Sequence, residues 1–148
     1  MVKQLLHGVN AMHQKDICHR DLKTENIVCD KNFEDGAPVI HIADFGYAMF
    51  TKENYCTRNI QIGTRYYMAP ELIRANEASE ENQYDEKIDV WALGVIAYYL
   101  CREGKFPFPG KKKKVVEDGV LNNEPDWNFE CDELLLKFIK KCLIKDAS

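Results

Sequence analysis

Residues 17–29 read ICHRDLKTENIVC and set His19, Arg20, Asp21 and Lys23 between apolar flanks. Charge held among apolar residues is costly unless it is paired or used, so this stretch is the first place to look for chemistry. A carboxylate can take a proton or orient a hydroxyl, and an ammonium can neutralise negative charge. Asn26, together with Asp44 in the later DFG at 44–46, offers hard oxygen atoms of the kind that bind magnesium. Taken alone, Asp21 reads equally well as a helix N-cap or loop acid, and Asp44 as a turn acid ending a strand.

The elements that must position these groups are legible in the hydrophobic pattern. Val2, Leu5, Leu6, Val9 and Met12 fall at helical spacing, which predicts an amphipathic helix before the charged stretch. No Ser, Thr, Asp or Asn precedes it, so the reading expects an element whose beginning lies upstream. IVC and PVIHIA are short β-rich runs around Asp35-Gly36 and predict a hairpin. Residues 46–68 follow neither period and read as a long functional loop. APELIRA reads as a short helix, and the acidic stretch after it as solvated loop. Ile88 to Cys101 is apolar on nearly every face, the pattern of a helix enclosed by other elements. Two further helices are predicted at about 111–120 and 132–145, the second with Leu135, Phe138, Ile139 and Cys142 on one stripe.

Composition narrows the class. A chain of 148 residues with 45% hydrophobic and 30% charged residues is globular, and fits one domain. Its 20 basic against 24 acidic residues argue against general nucleic-acid binding. The six cysteines show neither a C-x-x-C pair nor zinc-ligand spacing, which favours reduced thiols. His7 and Asn10 interrupt the N-terminal apolar run, and no stretch reaches membrane-helix length. A cytoplasmic or nuclear setting without a membrane partner is expected.

HRDLKTEN at 19–26, DFG at 44–46 and APE at 69–71 occur in that order, with GTRYYMAPE, DVWALGV and FPFPG in the same sequence. Together they resemble the eukaryotic protein kinase family along essentially the whole chain. The residue roles below follow that resemblance and not the spacing alone. It implies an α+β, mainly helical fold, the C-terminal lobe of a kinase with a short hairpin at the catalytic loop. The catalytic loop would be 19–26 and the activation segment 44–71. Asp21 would accept or orient the proton of a substrate hydroxyl, with Lys23 and Thr64 as its catalytic companions. ATP would be contacted by Lys23, Glu25, Asn26, Val28 and Asp44, and Mg²⁺ by Asn26 and Asp44. His19 and Phe45 would pack in the core and set loop geometry, and Asp89 would accept backbone N–H bonds from the catalytic loop.

DLKTEN resembles the serine/threonine pattern, with Thr24 where most relatives carry proline. Glu25 reads either as a contact for a basic substrate residue or as a solvated carboxylate. Arg20 is the family residue that holds a phosphorylated activation loop; Thr57 is the candidate acceptor, and Tyr55 and Thr57 read equally as plain loop residues. The hairpin and YDEKIDVWALGVIAYYL carry a local likeness to the calcium- and calmodulin-dependent branch. Lys111 to Lys114 read as the solvated start of a helix.

The smaller lobe, with its glycine-rich loop, lysine and helix glutamate, is expected upstream of Met1. An arginine that pairs with Glu71 is expected beyond Ser148. Two readings follow: part of a serine/threonine kinase acting on protein hydroxyls, or a non-catalytic kinase-like module that binds protein partners. Retention of Asp21, Lys23, Asn26 and Asp44 favours the first.

Overall fold

Leu5, Val9 and Met12 are the buried positions of the first helix, α1 (Val2–His13), which closes with His13 in its last turn. The computed structural model describes residues 1–30, 38–51, 65–78 and 84–146. The chain continues through β1 (Ile17–Cys18), a 3₁₀ turn at Thr24–Asn26, β2 (Ile27–Asp30), β3 (Val39–Ile42), a second 3₁₀ turn at Phe45–Tyr47 and β4 (Met49–Phe50). A third 3₁₀ turn at Arg65–Tyr67 leads to four helices: α2 (Pro70–Ala78), α3 (Lys87–Cys101), α4 (Lys113–Asn122) and α5 (Glu133–Cys142). Among the described residues helix dominates, with two small antiparallel sheets.

α3 is the centre of the core. Ile88, Trp91, Leu93, Val95, Ile96 and Tyr98 are all buried, and every residue from 91 to 98 is buried, so the middle of the helix has no face left for water. Each such side chain contributes roughly 1.5–3 kcal/mol relative to exposure. α5 lies against it at close range, which requires Gly94: a Cβ there would stand 2.5 Å from Cβ of Cys142. α5 starts where Asp132 accepts the Leu135 N–H at 2.9 Å, a side-chain cap, and ends with Lys140 and Lys141 at the negative end of the helix dipole. Its predicted stripe is observed, with Ile139 and Cys142 buried and Leu135 and Phe138 partly buried.

β2 and β3 pair antiparallel as expected, Ile27 with Ile42 and Asp30 with Val39; the expected Asp35-Gly36 turn lies outside the described residues. Its Ile27, Ile40 and Ile42 pack on the core. Gln4 of α1 grips the strand from the side, donating to the Pro38 carbonyl at 3.0 Å and accepting from the Ile40 N–H at 2.9 Å.

The structure alters several expectations. The 46–68 stretch is not all loop: β4 pairs with β1, Ile17 opposite Phe50 and Cys18 opposite Met49. α2 runs three residues further than APELIRA, α4 starts and ends two residues later than expected, and α5 stops at Cys142. α4 begins at Lys113, which pairs with Glu117 one turn on at 3.5 Å, so this lysine belongs to a solvated helix start. Among the described residues no helix is long and apolar enough to cross a membrane.

Candidate active site

The segment from His19 to Asn26 has little regular structure and must be held from outside. Asp89 in the first turn of α3 does this. Only 1% exposed, it accepts the His19 N–H at 2.7 Å and the Arg20 N–H at 2.9 Å, and its Oδ2 also meets His13 Nε2 at 3.0 Å. Arg20 sits at φ 67°, a left-handed conformation that disfavours a side chain, and the bond to Asp89 offsets the cost. The supporting role expected for Asp89 is therefore observed; the His13 contact was not foreseen, because it joins residues 76 positions apart.

His19 is fully buried and completes the frame. Its Nδ1 accepts the Asp21 N–H at 3.4 Å, so Nε2 carries the proton donated to the Ala43 carbonyl at 3.0 Å. Phe45 departs from expectation: its ring lies 5.0 Å from that of His19, yet the residue is 49% exposed. It covers His19 with one side and turns the other outward, so the core ends at Phe45.

Asp21, Lys23 and Asn26 form one hydrogen-bonded cluster. Asp21 is 5% exposed, and its Oδ2 accepts from Lys23 Nζ at 2.6 Å and from Asn26 Nδ2 at 3.3 Å. Asn26 also donates to the Asp21 carbonyl at 2.9 Å. The hydrogen bond to Asp21 raises the Lys23 pKa above its ordinary 10.5; burial opposes this, and the charges of Asp21, Glu25 and Asp44 add to it. Lys23 thus stands in the field of three carboxylates, and Asp44 follows Ala43, whose carbonyl meets His19 and whose N–H donates to the Asn26 carbonyl at 2.8 Å. Asp44 is exposed, held at φ 60°, with Oδ1 accepting the Gly46 N–H at 3.2 Å.

The donor set suits a magnesium ion that arrives with other ligands. Asn26 has committed its amide nitrogen to Asp21, so the atom it can offer is a carbonyl oxygen; Asp44 offers a carboxylate. Among the described residues no three His, Cys, Asp or Glu side chains converge, so these two would need water or phosphate oxygens to complete a shell.

The remaining expected residues fall at the edges. Glu25 is exposed and accepts from the Thr24 hydroxyl at 2.9 Å; Val28 is 50% exposed on the outward face of β2. Thr24 makes a contact proline cannot: its hydroxyl lies 2.8 Å from that of Tyr67, which links the loop to the third 3₁₀ turn. Burial raises the Tyr67 pKa above its ordinary 10.0. Arg20 donates to the Tyr47 carbonyl at 2.5 Å and to the Tyr84 hydroxyl at 3.3 Å. Thr64, Tyr55 and Thr57 lie outside the described residues. Glu71 is elsewhere, at a cavity shared with Lys87, Trp91, Lys141 and Asp146; burial raises its carboxyl pKa above 4.5.

A buried carboxylate bonded to a lysine two residues on, braced by a buried helix aspartate, is a loop whose polar groups are held in place before any ligand arrives. The protein kinase domain family matches residues 1–148, and the chain belongs to that family. It is 37% identical to serine/threonine-protein kinase fray1 of Dictyostelium discoideum, over 100% of this chain and 25% of the relative. It is 35% identical to calcium/calmodulin-dependent protein kinase type I of Schizosaccharomyces pombe, over 100% of this chain and 43% of the relative. Against calcium-dependent protein kinase 4 of Plasmodium falciparum the identity is 40%, over 97% of this chain and 26% of the relative. The chain thus spans less than half the length of these relatives, and the likeness to the calcium- and calmodulin-dependent kinases is shared with other serine/threonine kinases.

Proposed function

We propose that this chain is the C-terminal lobe of a serine/threonine protein kinase, with 19–26 as catalytic loop and 44–71 as activation segment. In the full-length protein it transfers the γ-phosphoryl group of ATP to serine or threonine hydroxyls of a protein substrate, in the cytoplasm or nucleus. The observation that carries this reading is the single cluster of Asp21, Lys23 and Asn26, with Asp44 close enough to act on Lys23.

Mg·ATP, when bound, supplies the phosphoryl group and part of the charge neutralisation. The chain's own part is positioning. Oδ2 of Asp21 is engaged by Lys23 and Asn26, which leaves Oδ1 to accept the hydrogen of a substrate hydroxyl and turn its oxygen toward the phosphorus. Lys23 keeps a positive charge beside that oxygen, where negative charge grows in the transition state. Asn26 and Asp44 would hold the metal, and Val28 and Glu25 would border the nucleotide. Thr64, which lies outside the described residues, is the expected catalytic companion of Asp21 and Lys23. The cavity beside Glu71 supports the expectation of an arginine partner from chain beyond residue 148.

Asp21→Asn in the full-length protein tests this. Phosphoryl transfer to a serine/threonine peptide should fall by roughly 10²–10⁴-fold while Mg·ATP affinity stays nearly unchanged. Loss of both together would indicate misfolding. A wild-type protein that binds its partners yet transfers nothing would return the partner-binding module.

A further inference from the structure

Cys101 closes α3, and Cys131 stands one residue before the cap of α5; their sulfur atoms are 3.2 Å apart. The two residues come together because the end of α3 grips the segment between them. Arg102 donates to the Asp126 carboxylate at 2.6 Å and to the Asn128 carbonyl at 3.3 Å, and its guanidinium lies 4.9 Å from the Phe129 ring. Tyr98 donates to the Asp126 carbonyl at 2.8 Å and meets Trp127 and Phe129 edge-on. Both cysteines are free thiols, and neither residue is fully buried.

We propose that Cys101 and Cys131 form a dithiol modification site, which closes to an intramolecular disulfide on meeting a low-molecular-weight disulfide of the glutathione class. Closure asks for an approach of about 1.2 Å, from 3.2 Å to the 2.05 Å of a bond, across a contact the fold already makes. Burial, and then the hydrogen bond to Cys131, push the Cys101 thiol up to about 12. The first attack is assigned to Cys131, beside the cap of α5, and the resolving step to Cys101 at the end of α3.

The exchange balances in two steps. The Cys131 thiolate bonds to one sulfur of the reagent disulfide and releases the other half as a thiolate. Cys101 then bonds to the Cys131 sulfur and releases the second half, its proton passing to that leaving thiolate. The reagent is reduced to two thiols, and the protein loses two hydrogen atoms. The site is remote from the catalytic loop: Asp89 lies twelve residues before Cys101, about 18 Å along the helix. What closure changes is the body of the fold, tying the end of α3 to the start of α5.

The test is thiol mapping of the native full-length protein after incubation with oxidised or reduced glutathione, followed by alkylation and digestion. The expected result is a peptide pair joined through Cys101 and Cys131, absent with reduced glutathione and reversed by dithiothreitol. Melting temperature should rise on closure by on the order of 5–10 °C. Both cysteines alkylated after oxidation, or each carrying its own glutathione, would overturn the proposal. Cys131→Ser supplies the second arm: Cys101 should then take up little glutathione, and uptake at the wild-type rate would also overturn it. Cys142, pushed up to about 12 by burial alone, serves as the internal control that stays reduced.

Discussion

At the residue scale, one carboxylate holds the loop and another is held by it. Asp89 satisfies two backbone N–H groups and His13, so its replacement strands the buried His19 N–H and removes the partner of the part-buried Arg20 N–H and His13. Asp89→Ala should cost roughly 2–4 kcal/mol, read from the denaturant midpoint of unfolding at constant slope. Thr24→Pro is the contrasting case. Lys23 before it is extended, at φ −159° and ψ 164°, the conformation that precedes proline comfortably. The exchange forfeits the hydroxyl contact to Tyr67 and the long 3.5 Å bond from the Thr24 N–H to the same oxygen, which the stiffening of the unfolded chain offsets in part, so a loss of about 1 kcal/mol is expected in the same measurement. Lys23 has its own pH signature. Its pKa is raised on folding, so its contribution to stability is complete below 10.5 and is lost as pH rises through the folded value. Neutral and mildly alkaline solutions should leave the Lys23–Asp21 pair intact, and an ammonium that titrates below 10.5 by NMR would contradict this. Asp21, Lys23, Asn26 and Asp89 were all legible because the family pattern marks them by type and order. His13 was not: it reads as one more polar residue near a helix end, and only the fold reveals its contact with Asp89.

At the element scale, legibility followed the range of the forces that make each element. The hairpin announces itself through two β-rich runs and a turn, all local. α3 announces itself by having no polar face. β1 and β4 are two residues each, too short for any period, and they pair across more than thirty positions of sequence. Phe45 was misjudged for a related reason: its residue type says core, while its place at the end of the His19 contact leaves it half exposed. Packing between α3 and α5 gives a sharper test. Gly94→Ala would push a methyl group to 2.5 Å from Cβ of Cys142, with backbone on both sides to move, so a loss of about 1–3 kcal/mol is expected. Gly8→Ala meets only the far end of Ile42 at 2.9 Å and should cost less, because that side chain can turn. α2 carries a pH-dependent element. The Glu71 carboxyl is raised by burial, so its contribution is most favourable below 4.5 and is lost as pH rises through the folded value. In the 148-residue chain, Glu71→Gln should therefore raise melting temperature at neutral pH and lose that advantage in acid; an equal shift at both pH values would exclude burial of the charge as the cause.

At the scale of the whole molecule, the groups we assign to phosphoryl transfer lie at one margin of the helical body, next to exposed apolar side chains. Val28, Val39, Phe45, Tyr47 and Phe50 are all about half or more exposed, and all belong to the strands and turns around the loop. With the nucleotide site shared between two lobes in our reading, the 148 residues alone should bind Mg·ATP very weakly and transfer no measurable phosphate. Titration calorimetry checks this, and micromolar affinity would refute it. The grip of Asp89 has a further consequence for whatever approaches Asp21. The loop is tied to α3 before any ligand arrives, so the freedom of its backbone has already been surrendered during folding. An incoming hydroxyl meets a carboxylate whose direction is settled, and the entropy of arranging it is charged against the stability of the fold instead of against each encounter.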